Sequence, residues 1–193
     1  MDTKRSKHHH QEDLIVPEQA CLNDAIDDDD IRRLWSYNST AGGRYVYMTN
    51  NTARGDCSGY VVEATGEAQG KTMPLTDIRF DLPPSSNHFQ PKFQLKFKKD
   101  NTWYSVNASE YSVTASEVTD TSFEVIKLYS PNKGLVVLRS NKKLDDDDLF
   151  LSSNGAGYMQ LKVWNKPVRC PPRTTSEVDP ALLFRVVRPL GQN

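Results

Sequence analysis

The chain is poor in the groups that move protons or hold metals. Its 193 residues contain four histidines. Three are adjacent, His8, His9 and His10, and the fourth, His88, stands alone in a Pro/Ser loop. Catalysis needs a base within reach of a nucleophile or a metal. No GxSxG, HExxH, phosphate-loop or dinucleotide fingerprint supplies one, so the sequence argues against an enzyme and against any resident cofactor or metal. Adjacent histidines on a flexible chain make an unselective metal site, and a solvated tail or purification remnant is the ordinary reading. The three cysteines, Cys21, Cys57 and Cys170, are odd in number and lack CxxC spacing, and they read as free thiols. No run of 18 apolar residues exists, which excludes a helical membrane span. The first 30 residues lack the apolar core of a secretory signal, so synthesis in the cytosol is expected.

Net charge is small, a formal −1, but the charges are unevenly placed. Residues 1 to 30 hold three basic and nine acidic groups, a local −6, and the remainder is +5. Few apolar residues accompany that acidic segment. It cannot bury enough surface to offset the entropy of ordering and is expected to be a disordered leader or propeptide. Within it, Leu14 to Val16 and Ala20 to Ile26 offer at most a short helix or docking peptide.

After Asp30 the pattern turns to β. All 18 aromatic residues lie beyond position 34, in runs of alternating polarity separated by Gly, Pro, Asn and Asp. These runs recur as three copies of one four-strand order. Opening strands are Ile31-Arg32-Arg33-Leu34-Trp35, Phe93-Gln94-Leu95-Lys96-Phe97 and Leu135-Val136-Val137-Leu138-Arg139. Second strands run from Arg44, Thr102 and Leu149 to Asn50, Asn107 and Asn154. Third strands start at Tyr60, Tyr111 and Tyr158, and closing strands at Ile78, Phe123 and Leu183. One such unit leaves its edges and apolar face open, whereas three can close a barrel and cap it. The expected fold is therefore all-β, a β-trefoil over residues 31 to 193. A β-sandwich is the competing architecture, and it leaves the recurring Asn and Tyr unexplained. Residues 66 to 76, 83 to 91 and 165 to 180 read as loops inside or between the units, where such folds keep specificity.

Two aspartate runs, residues 27 to 30 and 145 to 148, lack the spaced ligands of a calcium loop. The second reads as a solvated turn. The first marks the junction of leader and domain, where proteolysis concentrates, and reads either as a linker open to an aspartate-specific protease or as a solvated spacer. The segment Lys92-Phe93-Gln94-Leu95-Lys96-Phe97-Lys98-Lys99 interleaves cations with rings, a pattern that suits a polyanion such as heparan sulfate. More often such a pattern is a strand with its apolar residues in the core and its lysines turned to water, and nucleic acid is not an expected partner. Asn38, Asn50 and Asn107 head Asn-x-Ser/Thr triplets, which matter only if the chain meets the glycosylation machinery.

The segments Arg33-Leu34-Trp35-Ser36-Tyr37-Asn38 and Tyr45-Val46-Tyr47-Met48-Thr49-Asn50-Asn51, with the final Leu182-Leu183-Phe184-Arg185-Val186, resemble the first hairpin and closing strand of the interleukin-1 cytokine family. That resemblance implies a monomeric ligand released to the extracellular space, matured by cleavage near Asp30, that binds immunoglobulin domains of a cell-surface receptor. Candidate contacts are Arg32, Arg33, Lys98, Lys99, Lys142 and Lys143, and the acidic leader is expected to mask this basic body until removed. Fascin-like actin binders and carbohydrate-binding trefoils fit the same strand order and stand as alternatives.

Overall fold

The computed structural model describes residues 26–52, 59–67, 72, 74–84, 86–87, 89–128, 134–164 and 178–189. The histidines, the cysteines and residues 1–25 of the 30-residue leader lie outside this set, whereas Asp28, Asp29 and Asp30 of that segment are bonded to the domain. Twelve strands follow in chain order: β1 (Asp30–Ser36), β2 (Tyr45–Thr52), β3 (Tyr60–Gly66), β4 (Ile78–Asp81), β5 (Lys92–Lys99), β6 (Thr102–Ala108), β7 (Val113–Ser116), β8 (Phe123–Lys127), β9 (Leu135–Leu144), β10 (Asp147–Ser153), β11 (Met159–Val163) and β12 (Phe184–Val187). The only helical element among the described residues is a 3-10 turn, Pro180–Leu182, begun by Asp179, whose side chain accepts the Ala181 N–H. The chain is all-β and every strand pair is antiparallel. No helix among the described residues is long and apolar enough to cross a membrane.

Pairing closes six strands into a ring. Strand β1 pairs β4, β4 pairs β5, β5 pairs β8, β8 pairs β9, β9 pairs β12 and β12 returns to β1. The other six form hairpins, β2–β3, β6–β7 and β10–β11, the first two joined through β3–β7. Alternation explains which side chains fill the interior. In β5, Phe93, Leu95 and Phe97 are buried between partly or fully exposed Gln94, Lys96 and Lys98, as the period of two requires. One continuous core gathers residues from all twelve strands, including Leu34, Met48, Val62, Phe80, Phe97, Val106, Ala115, Phe123, Leu138, Leu151, Met159 and Phe184. Large meets small across the ring, with Phe184 opposite Ser36 and Phe123 opposite Ser140.

Two hairpins turn on two residues each, Asp100–Asn101 and Asp145–Asp146. Their φ values, 50° and 62° in the first and 47° and 70° in the second, are the left-handed pair that a tight hairpin needs and that Asp and Asn tolerate. The 145 to 148 run is thus a turn plus the start of β10, where Asp148 lies 3.5 Å from Arg139 and 3.8 Å from Lys143.

Strand starts depart from the expected tyrosines in two places. β7 begins at Val113 because the Ser109 hydroxyl accepts the N–H groups of Tyr111 and Ser112, holding them in a turn. β11 begins at Met159 because the Asn154 carboxamide accepts the N–H groups of Ala156 and Tyr158.

Candidate functional site

The outer face of β4, β5 and β6 carries the richest chemistry. Register sets Arg79 opposite Lys96, Asp81 opposite Gln94, and Lys98 opposite Trp103. Arg79 Nη2 donates to Asp81 Oδ2 at 2.8 Å, and Lys96 Nζ lies 2.9 Å from the same oxygen. The Arg79 Nε to Asp81 Oδ1 approach of 2.6 Å is ionic, without hydrogen-bond alignment. Burial pushes the Asp81 carboxyl up, but the bonds and charges of Arg79 and Lys96 outweigh it and hold the group below the usual carboxylate range. Arg79 also stacks on Trp103, its guanidinium carbon 3.8 Å from the ring centroid, and Lys98 Nζ is 5.5 Å from that centroid. Two cations therefore fix the pose of a half-buried tryptophan.

Beside this ring is a cleft of about 420 Å³ lined by Ile31, Pro74, Asp77, Lys98, Asp100, Asn101 and Trp103. Its walls come from the start of β1, the turn before β4 and the tip of the β5–β6 hairpin. The turn is closed by Asp77 N–H donating to Pro74 carbonyl at 2.9 Å and is tied to β1 by Arg33 Nε donating to Asp77 Oδ1 at 2.8 Å. Apolar lining with a ring, a cation and two carboxylates offers an anchor pocket for one large side chain of a partner. No base–nucleophile pair is assembled among the lining residues.

The six expected contact residues separate. Arg33 is wholly buried and Arg32 nearly so, the latter paired with Asp30 at 3.1 Å. Arg33 has no surface to offer a partner, so its placement among contact residues is corrected. Lys142 is committed to the fold: its Nζ donates to the Ala108 carbonyl at 2.7 Å and lies 3.2 Å from Asp120. Lys143 is exposed beside Asp148. Lys99 donates to Asn50 at 3.4 Å and sits 4.3 Å over the Tyr60 ring. Only Lys98 lines the cleft. Trp103, Ile31, Pro74 and Asp77 were not singled out from sequence. For Trp103 a local signal existed, since a two-residue turn at Asp100–Asn101 sets it directly across from Lys98.

Asp30 is held in the β1–β4 ladder, its side chain partly exposed. It opens β1 opposite Phe80, and its carboxylate accepts the Asp27 N–H at 2.8 Å. Asp29 N–H donates to the Phe80 carbonyl at 2.9 Å, and Asp28 accepts the Leu82 N–H at 2.7 Å. Carboxylates of Asp28, Asp29 and Asp81 lie within 4.8 Å of one another. The Asp29 carboxyl is accordingly raised, first by the Asp28 charge, then by burial and Asp81. Arg79, 3.9 Å from Asp29, already supplies positive charge there.

Comparison with protein-family models, with curated proteins and with solved structures finds no match.

Proposed function

We propose that this chain is a β-trefoil that works by binding another protein, as an extracellular ligand of the interleukin-1 type whose partner is a cell-surface receptor. The three units are residues 30–81, 92–127 and 135–187, each contributing two strands to the ring and one hairpin outside it. The observation that carries the binding role is the cleft beside Trp103. Tryptophan and cationic groups in a pocket are where protein interfaces concentrate their energy, and here Arg79 and Lys98 hold the ring in place before any partner arrives. Preorganisation of that kind lowers the entropy cost of binding.

Maturation after Asp30 belongs to the same proposal. Because Asp30 pairs with Phe80, a protease acting there must first peel residues 28–30 from Phe80 and Leu82. The test is treatment of the full chain with an aspartate-specific protease, intact mass, and cell-surface binding of both forms. A stable core that binds cells, and loses binding on Trp103→Ala, supports the reading. A core that binds actin filaments or a glycan array and no cell surface replaces it.

A further inference from the structure

We infer that Asn50 is the position at which this chain accepts an N-linked glycan, and that Asn38 and Asn107 do not carry one in the folded protein. The three triplets are equal in sequence and unequal in space. Asn107 has both ends of its carboxamide committed: Nδ2 donates to the Val118 carbonyl at 2.7 Å and to Ser116 Oγ at 3.2 Å, and Oδ1 accepts the Asp120 N–H at 3.0 Å. Its partner hydroxyl, Ser109, is occupied in the turn before β7. Asn38 Nδ2 donates to the Ser153 carbonyl at 2.8 Å, and the Thr40 hydroxyl donates to the Gly155 carbonyl at 3.0 Å. The residue between them, Ser39, is fully buried.

Asn50 differs in every respect. Asn50, Asn51 and Thr52 are all exposed at the end of β2. Register slips between Met48 and Thr52, which face Val62 and Tyr60, so β2 carries two extra residues in a bulge at this point. Bulges re-aim side chains away from the ladder. The Asn50 carboxamide accepts one bond, from Lys99 Nζ at 3.4 Å, and among the described residues its Nδ2 donates to nothing.

In the transfer, Nδ2 of Asn50 attacks the anomeric carbon of a lipid-pyrophosphate-linked oligosaccharide. The carbon–oxygen bond to pyrophosphate breaks, the pyrophosphate leaves with that electron pair, and Nδ2 gives up one proton. The retained oxygen still faces Lys99, so the sugar stands beside the Lys99–Tyr60 pair and covers that cation. The lipid-linked donor is met only inside the secretory pathway, so the acceptor claim holds for a chain placed on that route and is independent of the extracellular reading proposed above.

The experiment imposes the route, which separates the acceptor claim from that reading. The full chain, fused behind a cleavable secretion signal, is expressed in mammalian cells. The soluble secreted fraction is then mapped by glycopeptide mass spectrometry before and after a peptide N-glycosidase. The expected result is a single occupied position, Asn50, abolished by Asn50→Gln and equally by Thr52→Ala, with folding unchanged by circular dichroism. Occupancy at Asn38 or Asn107 in the folded fraction, or a secreted folded chain with no glycan at Asn50, overturns the inference.

Discussion

Two phenylalanines nine positions apart give the sharpest test of the architecture. Phe80 is fully buried and Phe89 is 95% exposed. Phe80 lies on β4, the strand that joins β1 to β5, opposite Asp30 on one side and Leu95 on the other. Its ring meets Phe93 edge-on at 5.6 Å. Truncating a buried phenylalanine to alanine costs about 3 to 5 kcal/mol, transfer and cavity together. For a domain of this size each kcal/mol lowers Tm by roughly 2 to 4 °C, so Phe80→Ala should melt some 6 to 20 °C below the parent, on the order of those two figures multiplied. Phe89→Ala should stay within about 0.5 kcal/mol, as exposed substitutions do. Urea unfolding followed by tryptophan fluorescence and circular dichroism checks both, with the slope unchanged and only the midpoint moved in the first. Equal midpoints for the two variants would refute the placement of β4 in a closed ring.

Trp103→Ala should weaken partner binding by at least about 30-fold, the scale of a hot-spot residue, while Lys143→Ala stays near neutral, both read by titration on receptor-bearing cells. Lys142→Ala should lower stability by about 1 kcal/mol in urea, since it ties β9 to Ala108 and Asp120; Lys143→Ala on the same assay should not. Stability should also fall in acid. The Asp81 and Asp179 carboxyls are held below their ordinary range, despite burial, by Arg79 with Lys96 and by Lys162 with the Ala181 N–H respectively. Their contribution is complete above the unfolded carboxylate pKa near 4 and is lost as pH drops through the lower folded values. Asp81→Asn should flatten the melting-temperature curve below pH 4, and an unchanged curve would count against the network.

All twelve strands were legible because their apolar residues alternate and because Asp, Asn and Gly punctuate them. The site was legible only in part. Lys98 could be read as an outward residue of β5, but the double arginine at Arg32 and Arg33 looked like surface charge. In the fold, β1 is buried on both faces from Arg32 to Ser36, and Arg33 is matched by Asp77, 44 positions away. No local pattern announces a countercharge at that distance. The cleft is likewise built from three segments, β1, the turn before β4 and the β5–β6 tip, that only the closed ring brings together. Asp30 read as an exposed linker because four carboxylates in a row look solvated, yet backbone N–H groups of Asp27 and Leu82 use two of those side chains as acceptors.

The seam between β1 and β12 sets the timing of synthesis. Arg33 pairs with Val187, so a ribosome translating about 5 to 20 residues per second leaves the β1 edge waiting roughly 8 to 30 s for its neighbour. Ring closure therefore waits on a non-local contact, Arg33 with Val187, whose loop-closure entropy must be met before the pairing rewards it. Folding should be slow, in the millisecond-to-second class of non-local β proteins. Until β12 arrives, the β1 edge from Arg33 to Ser36 lacks its ladder partner, and an open strand edge of that kind is a template for pairing with another chain.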